Sequence, residues 1–197
     1  MWRCKLAVML STLDAIRNDI SQRLAEGATN RRSPMHTPVV ATADADARVM
    51  VLRGFNPESW TLRFHTDARS PKVAVIESDP RIGVLAYDKQ AKLQLRLRGS
   101  GRIVTTGQAV DSAWSQSDNF ARRCYLGSGP GEQYDQPTSG LPPEFEGVEP
   151  TDDQVNSARE NFALLLVQIE EADWFSLAHT GHRRALFIGD EGRWISP

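Results

Sequence analysis

The residue types most able to do chemistry in this 197-residue chain are cations set in unusual surroundings. Ser70-Pro71-Lys72 reads as a helix start: Ser70 is a good cap, Pro71 suits the first helical position, and Asp79-Pro80 ends the element. Lys72 then stands in the first turn, against the partial positive charge of the helix dipole, where Asp or Glu is the usual choice. A cation beside unpaired backbone N–H groups is mildly unfavourable alone and becomes favourable once a phosphate docks there. A solvated surface lysine is the other reading. Arg48 and Arg53 bracket the apolar run Val49-Met50-Val51-Leu52. An arginine on such a strand must snorkel to solvent or pair with an anion. Gln94, on the polar face of its strand, could hydrogen-bond a planar heterocycle or face water. Together these residues fit a site for a phosphate-bearing ligand.

Other chemistries find less support. His36, His65, His179 and His182 are scattered, and the three-residue spacing of the last two is not a metal pattern on a strand. Cys4 and Cys124 lie far apart with no CxxC, so neither a zinc site nor a disulfide framework is readable, and a reducing cytoplasm is expected. No GxGxxG, GxxxxGK[ST] or GxSxG run is present. A net charge of −2 argues against a dedicated nucleic-acid binder. The Lys92/Gln94/Arg96/Arg98 strand face is basic but lacks interleaved aromatics on which bases would stack. No apolar run approaches the roughly 20 residues of a membrane helix. Leu6–Leu10 is too short, and too soon followed by Asp14, for a secretory signal.

The elements that must position the cations follow from periodicity. Leu13, Ile16, Ile20 and Leu24 form the stripe of an amphipathic helix over about 11–27, with Ser11 as cap and Gly27 as stop. From Thr37 the period changes to two. Arg48–Arg53 reads as a strand, and Trp60, Leu62 and Phe64 alternate along another; the turn Asn56-Pro57-Glu58-Ser59 makes them a hairpin. Strands are expected at Ile82–Tyr87 and Lys92–Thr105, and a helix over about 107–125. Residues 127–153 hold five of the eleven prolines, a long loop of the functional or disordered kind. Phe162–Ile169 is apolar on both faces except at Gln168, as for a strand covered twice; Trp174–His179 and Ala185–Ile188 follow, with a turn at Gly189–Gly192. The class is α+β: a single domain over 1–197, a mostly antiparallel barrel with peripheral helices.

The order of motifs resembles the pyridoxamine 5'-phosphate oxidase family of FMN-binding split β-barrels. The run Arg48-Val-Met-Val-Leu-Arg53, then Phe64-His65-Thr66 with Ser70-Pro71-Lys72, then Leu93-Gln94-Leu95-Arg96 matches its order and spacing over about 37–105. Trp174 followed ten residues later by Arg184 matches its C-terminal spacing, and Gln136 falls where the family has a flavin-contacting Gln. The resemblance implies that Arg48 and Lys72 neutralise the FMN phosphate, helped by Thr66 and Ser70. Val49, Met50, Val51, Leu52 and Arg53, with His65, would run along the flavin ring, and Gln94 would hydrogen-bond it. It implies a homodimer with the flavin between subunits, so that Gln136, Trp174 and Arg184 come from the other chain and Arg184 stabilises negative charge on the ring. Phe162–Ile169 would then be interface material.

The substrate side departs from the family. Its Arg-x-His is Thr180-Gly181-His182 here; its Tyr, Arg and Ser at intervals of four are Asn119, Arg123 and Gly127; Arg53 replaces a lysine. His182 and Arg123 are thus the candidate catalytic residues, and the flavin side is the better kept. Losing a charged partner to a substrate phosphate costs on the order of 1.5–3 kcal/mol. The expected function is an FMN-dependent oxidoreductase acting on pyridoxamine or pyridoxine phosphate, or on another small oxidisable substrate. A non-catalytic flavin- or haem-binding module, a deazaflavin-dependent reductase and a basic-sheet RNA binder are the alternatives.

Overall fold

The computed structural model describes residues 11–197, so the readings at Cys4 and Leu6–Leu10 lie outside the described residues. A helix α1 (Leu13–Thr29) opens the chain, its stripe of Ile16, Ile20 and Leu24 fully buried. Thr12 rather than Ser11 caps it, accepting from the Ala15 amide at 3.2 Å. Gly27 does not stop it. The bare backbone there lets Met35 pack against the helix; a Cβ would come within 2.7 Å of Met35 Cβ.

The strands are β1 (Val39–Ala41), β2 (Ala47–Val49), β3 (Leu52–Asn56), β4 (Thr61–Asp67), β5 (Arg81–Asp88), β6 (Leu93–Val104), β7 (Phe162–Ser176), β8 (Arg183–Ile188) and β9 (Glu191–Ile195). Every pairing is antiparallel. The order is β2-β1-β5-β6-β7-β4-β3, with β8 also on β7 and β9 on β8. The sheet therefore forks at β7. One edge of β7 carries β6 along most of its length; the other carries β4 from Phe162 to Gln168, then β8 from Glu171 to Ser176. This is the split barrel expected of the α+β class.

Three expectations are corrected. The strand over Arg48–Arg53 is two strands, β2 and β3, with Met50 and Val51 between them; the Met50 and Leu52 amides bond the Pro38 and His36 carbonyls at 3.0 and 2.8 Å, which extends the β1–β2 register beyond Val39 while Leu52 also begins the pairing with β4. The two strands expected over 162–179 are one. The polar residues Glu170, Glu171 and Asp173 interrupt the apolar pattern without interrupting β7, since a bulge opposite Arg98 and Gly99 absorbs the change of face. A Cβ at Gly99 would lie 1.8 Å from the Gln168 carbonyl oxygen, so only glycine fits. The helix over 107–125 is broken into α3 (Gln108–Ser115), α4 (Asn119–Arg122) and a 3₁₀ turn at Arg123–Tyr125, because Asp118 recaps the chain by accepting from Ala121 N at 2.7 Å.

The twice-apolar start of β7 separates two cores. Leu165, Val167 and Ile169 point into the barrel with Leu52, Leu62, Phe64 and Leu95. Phe162 and Leu164 point outward against Val110, Ala113 and Trp114 of α3, and against Val155 of α5 (Asp152–Asn156). Both faces are thus covered by this chain itself, each leucine contributing about 1.5–3 kcal/mol, and Phe162–Ile169 is core rather than interface material.

Candidate functional site

The last element needed is α2 (Pro71–Ser78), which follows β4 after a short turn. The β2–β3 break, β4 and the start of α2 face the segment after α3 across a cavity of about 490 Å³. One wall is Arg48, Val49, Met50, Val51 and Arg53; the floor is His65, Thr66, Asp67 and Lys72; the far wall is Ser117, Ala121, Cys124, Tyr125 and Pro130. The segment between β2 and β3 therefore matters to the site: four consecutive positions, Arg48 to Val51, line the cavity, and Arg53 joins them while Leu52 turns into the barrel.

Ser70 stands at the cap of α2 but its side chain does not cap it. Its hydroxyl instead accepts from Lys72 Nζ at 2.6 Å, and Thr66 Oγ1 accepts from the same ammonium at 3.1 Å. Lys72 has hydroxyl partners and, among the described residues, no ion pair. Burial and the neighbouring Arg48 guanidinium both lower its pKa. Arg48 is anchored by Thr42 Oγ1 at 3.1 Å and by the Asp46 carboxylate. The nearby Asp67 is occupied by Arg69 at 2.7 Å. Asp67 and Asp46 act on Lys72 only from beyond ion-pair distance, so two cations, one of them half-buried, converge beside hydroxyls at a helix start. That is the chemistry of a phosphate cradle.

Along the rest of the cavity the chemistry changes. Burial, reinforced by Arg53 and Arg63, pushes the His65 pKa down to about 4, so the imidazole is neutral near pH 7. Its Nε2 is buried without a partner, as is Arg53 Nε. Burial raises the Tyr125 phenol well above its ordinary value, so it too stays neutral. Val49, Met50, Val51 and Ala121 supply apolar walls. A flat ring with polar edges, joined to a phosphate, fits these surfaces, and FMN is such a molecule: the apolar wall would hold its ring and the Lys72 end its phosphate.

Not every candidate residue joins this cavity. Gln94, expected beside the phosphate-binding residues of its own chain, lies opposite Phe175, which lies opposite Arg184, in one cross-strand row over β6, β7 and β8. This row shares no residue with the cavity lining. His182 stacks edge-on against Phe175 at 5.8 Å between ring centres and belongs to the same region. Gln136 is exposed in the long loop. Trp174 is buried on the barrel side of β7, its Nε1 donating to Asp19 of α1 at 2.9 Å, so it is a core residue rather than one presented to a second chain. Arg123 does not line the cavity. Its Nη1 donates to the Phe145 and Val148 carbonyls at 2.8 and 3.1 Å and ties down the long loop. Leu52 is fully buried in the barrel.

Sequence reasoning missed the far wall. Ser117, Ala121 and Tyr125 come from a segment read as an unbroken helix, and the available signal was Asp118, a cap residue in its middle.

Comparison with known proteins bears on these geometries. Residues 14–105 match the family described as pyridoxamine 5'-phosphate oxidase, FMN-binding domain. A pyridoxamine 5'-phosphate oxidase-related, FMN-binding protein from Nostoc punctiforme superposes with a TM-score of 0.73 at 22% identity, over 95% of this chain and 100% of its own. PhzG from Burkholderia lata, solved with tetrahydrophenazine-1-carboxylic acid, gives 0.63 at 14% identity over 91% of each chain. A protein of the pyridoxinephosphate oxidase family from Clostridium acetobutylicum gives 0.53 at 12% identity, over 87% of this chain and 94% of its own. No curated protein matches the sequence.

Proposed function

We propose that this chain, which shares the split-barrel fold and matches the pyridoxamine 5'-phosphate oxidase FMN-binding domain over residues 14–105, binds FMN in the cavity between β2, β4 and α2 and works as a homodimeric, cytoplasmic FMN-dependent oxidoreductase. The observation that carries this reading is the Lys72 ammonium, held by the Thr66 and Ser70 hydroxyls beside Arg48, with no carboxylate at ion-pair distance among the described residues. Arg48 and Lys72 hold the phosphate, and Val49–Arg53 back the ring. Neutral His65 offers an uncharged hydrogen-bonding edge. FMN, when bound, supplies the two-electron chemistry: it takes electrons from a small oxidisable substrate and passes them to an acceptor.

A second copy completes the site in this proposal. Val49, which is 64% exposed and lines the cavity, stands in register with Val39, Leu85, Arg96 and Asp173 across the sheet. Exposed Leu85, Tyr87 and Ile188 lie on the same outer face as the Gln94–Phe175–Arg184 row. An apolar patch continuous with the cavity rim suits a self-complementary contact. Such a contact brings the Gln94 and Arg184 row of one chain to the flavin of the other.

Pyridoxamine and pyridoxine phosphates are the first substrates to test, with other small amines beside them. One observation favours a second reading, a flavin carrier without this oxidase activity: Arg123, the family's retained substrate contact, is committed to the Phe145 and Val148 carbonyls. Oxygen consumption by FMN-loaded protein separates the two. Turnover with either phosphate supports the oxidase; bound FMN without turnover across the panel supports the carrier.

A further inference from the structure

A second basic cavity lies on β3, β4, β6 and β7, away from the one assigned to FMN. The register sets Arg63 of β4 and Arg102 of β6 on either side of Leu166 of β7, on one face of the sheet. A cavity of about 470 Å³ opens between them, with Phe55 and Leu166 as its apolar surfaces and no acidic residue in its lining. Neither arginine forms an ion pair among the described residues. Arg63 Nη2 donates to the Arg53 carbonyl at 3.0 Å, but its buried Nε has no acceptor.

An arginine that merely snorkels keeps its guanidinium in water. Arg63 is half-buried and lies across Gly54, where a Cβ would meet its Nε at 3.1 Å. Gly54 sits at the irregularity of the β3–β4 pairing, so the backbone itself makes room for the guanidinium. A cationic group drawn partly out of water without an anionic partner is costly in the free protein, and an oxyanion in the groove between Arg63 and Arg102 supplies that partner. Paired guanidiniums recognise carboxylate or phosphate oxygens in a fork, and the apolar floor takes a hydrocarbon body. We propose that this groove binds a small organic anion, a carboxylate or phosphate monoester carried on an apolar body, at a site separate from the flavin cavity.

The test is calorimetric titration of FMN-saturated full-length protein with benzoate, phenyl phosphate, inorganic phosphate and neutral benzamide. Saturable binding of at least one aryl anion, with no binding of benzamide, is the expected result. Inorganic phosphate tells the two sources of affinity apart: the proposal expects it to bind more weakly than phenyl phosphate, because it leaves Leu166 and Phe55 uncovered. Arg102→Gln, at an exposed position, is expected to weaken aryl-anion binding about tenfold while leaving thermal stability and FMN binding unchanged; Arg63→Gln is expected to do the same to the anion. Absence of saturable aryl-anion binding, or binding unchanged in the double variant, overturns the proposal. So does a shift from dimer to monomer on Arg102→Gln, which would assign the groove to a second copy. Failure of FMN to bind the unaltered protein would strike the flavin reading instead, and the same titrations without FMN would still decide this one.

Discussion

Asp173 grips Arg184 at both ends of its guanidinium: Nε reaches Oδ1 at 3.0 Å and Nη2 reaches Oδ2 at 2.8 Å. Arg96 bonds the same carboxylate from the next strand. Asp173 is only 2% exposed on a face that otherwise meets solvent, so the two arginines cover it. Two cations on one carboxylate leave a net positive charge beside Gln94. Burial alone would raise the Asp173 pKa, but the hydrogen bonds from Arg184 and Arg96 outweigh it and hold the carboxyl below its ordinary value.

Asp173→Asn is therefore expected to destabilise the fold by about 3 kcal/mol at pH 7, since both guanidiniums lose their counter-charge. The folded pKa is depressed, so the wild type keeps this contribution above the unfolded carboxylate pKa and loses it as pH falls through the lower folded value. Urea denaturation between pH 7 and pH 3 checks both points: the gap between wild type and variant should narrow with acid. In FMN-loaded protein, Arg184→Ala should make the flavin potential more negative, and Asp173→Asn should move it through loss of Arg184's position. An unchanged potential in both variants removes Arg184 from the site.

His65 gives a stability change of the same sign at milder pH. Its folded pKa of about 4 lies below the ordinary 6.5, so the unfolded chain binds the extra proton and stability falls as pH drops from about 6.5 toward 4. The wild type should lose about 1–2 kcal/mol between pH 7 and pH 5 from this group. His65→Phe, which preserves the edge-on contact with Phe162, should not show that loss. Equal losses in the two proteins would mean that His65 titrates normally.

Trp174 separates a core role from a flavin-contacting one. Trp174→Phe removes the bond to Asp19 and part of a buried ring, and is expected to cost about 1–3 kcal/mol in thermal or urea unfolding. FMN affinity should stay within threefold of wild type. A variant of full stability that loses FMN would return Trp174 to the flavin site.

The parts of the fold legible in the sequence were those where local pattern and tertiary role agree. The α1 stripe and the alternation of Leu93, Leu95 and Leu97 face the core as their spacing requires, and Pro71 opens its helix as its fixed backbone angle suits. The misread segments are those where a long-range contact overrides the local pattern. Gly27 looks like a helix stop but serves as a seat for Met35, and Arg48–Arg53 looks like one strand but passes from pairing with β1 to pairing with β4. In the site, Lys72 was legible because a cation in a first helical turn violates a local preference. Asp173 was not, because its partners Arg96 and Arg184 lie 77 and 11 residues away and meet only through the β6–β7–β8 register.

The most direct measurement is FMN affinity, followed by quenching of flavin fluorescence, in wild type and in the Arg48→Ala/Lys72→Ala double variant. Each cation to the phosphate contributes on the order of 1.5–3 kcal/mol, so the double variant should bind at least about a hundredfold more weakly, with an unchanged far-UV spectrum and melting temperature within a few degrees. A folded double variant that holds FMN within a few-fold of wild type would contradict the account.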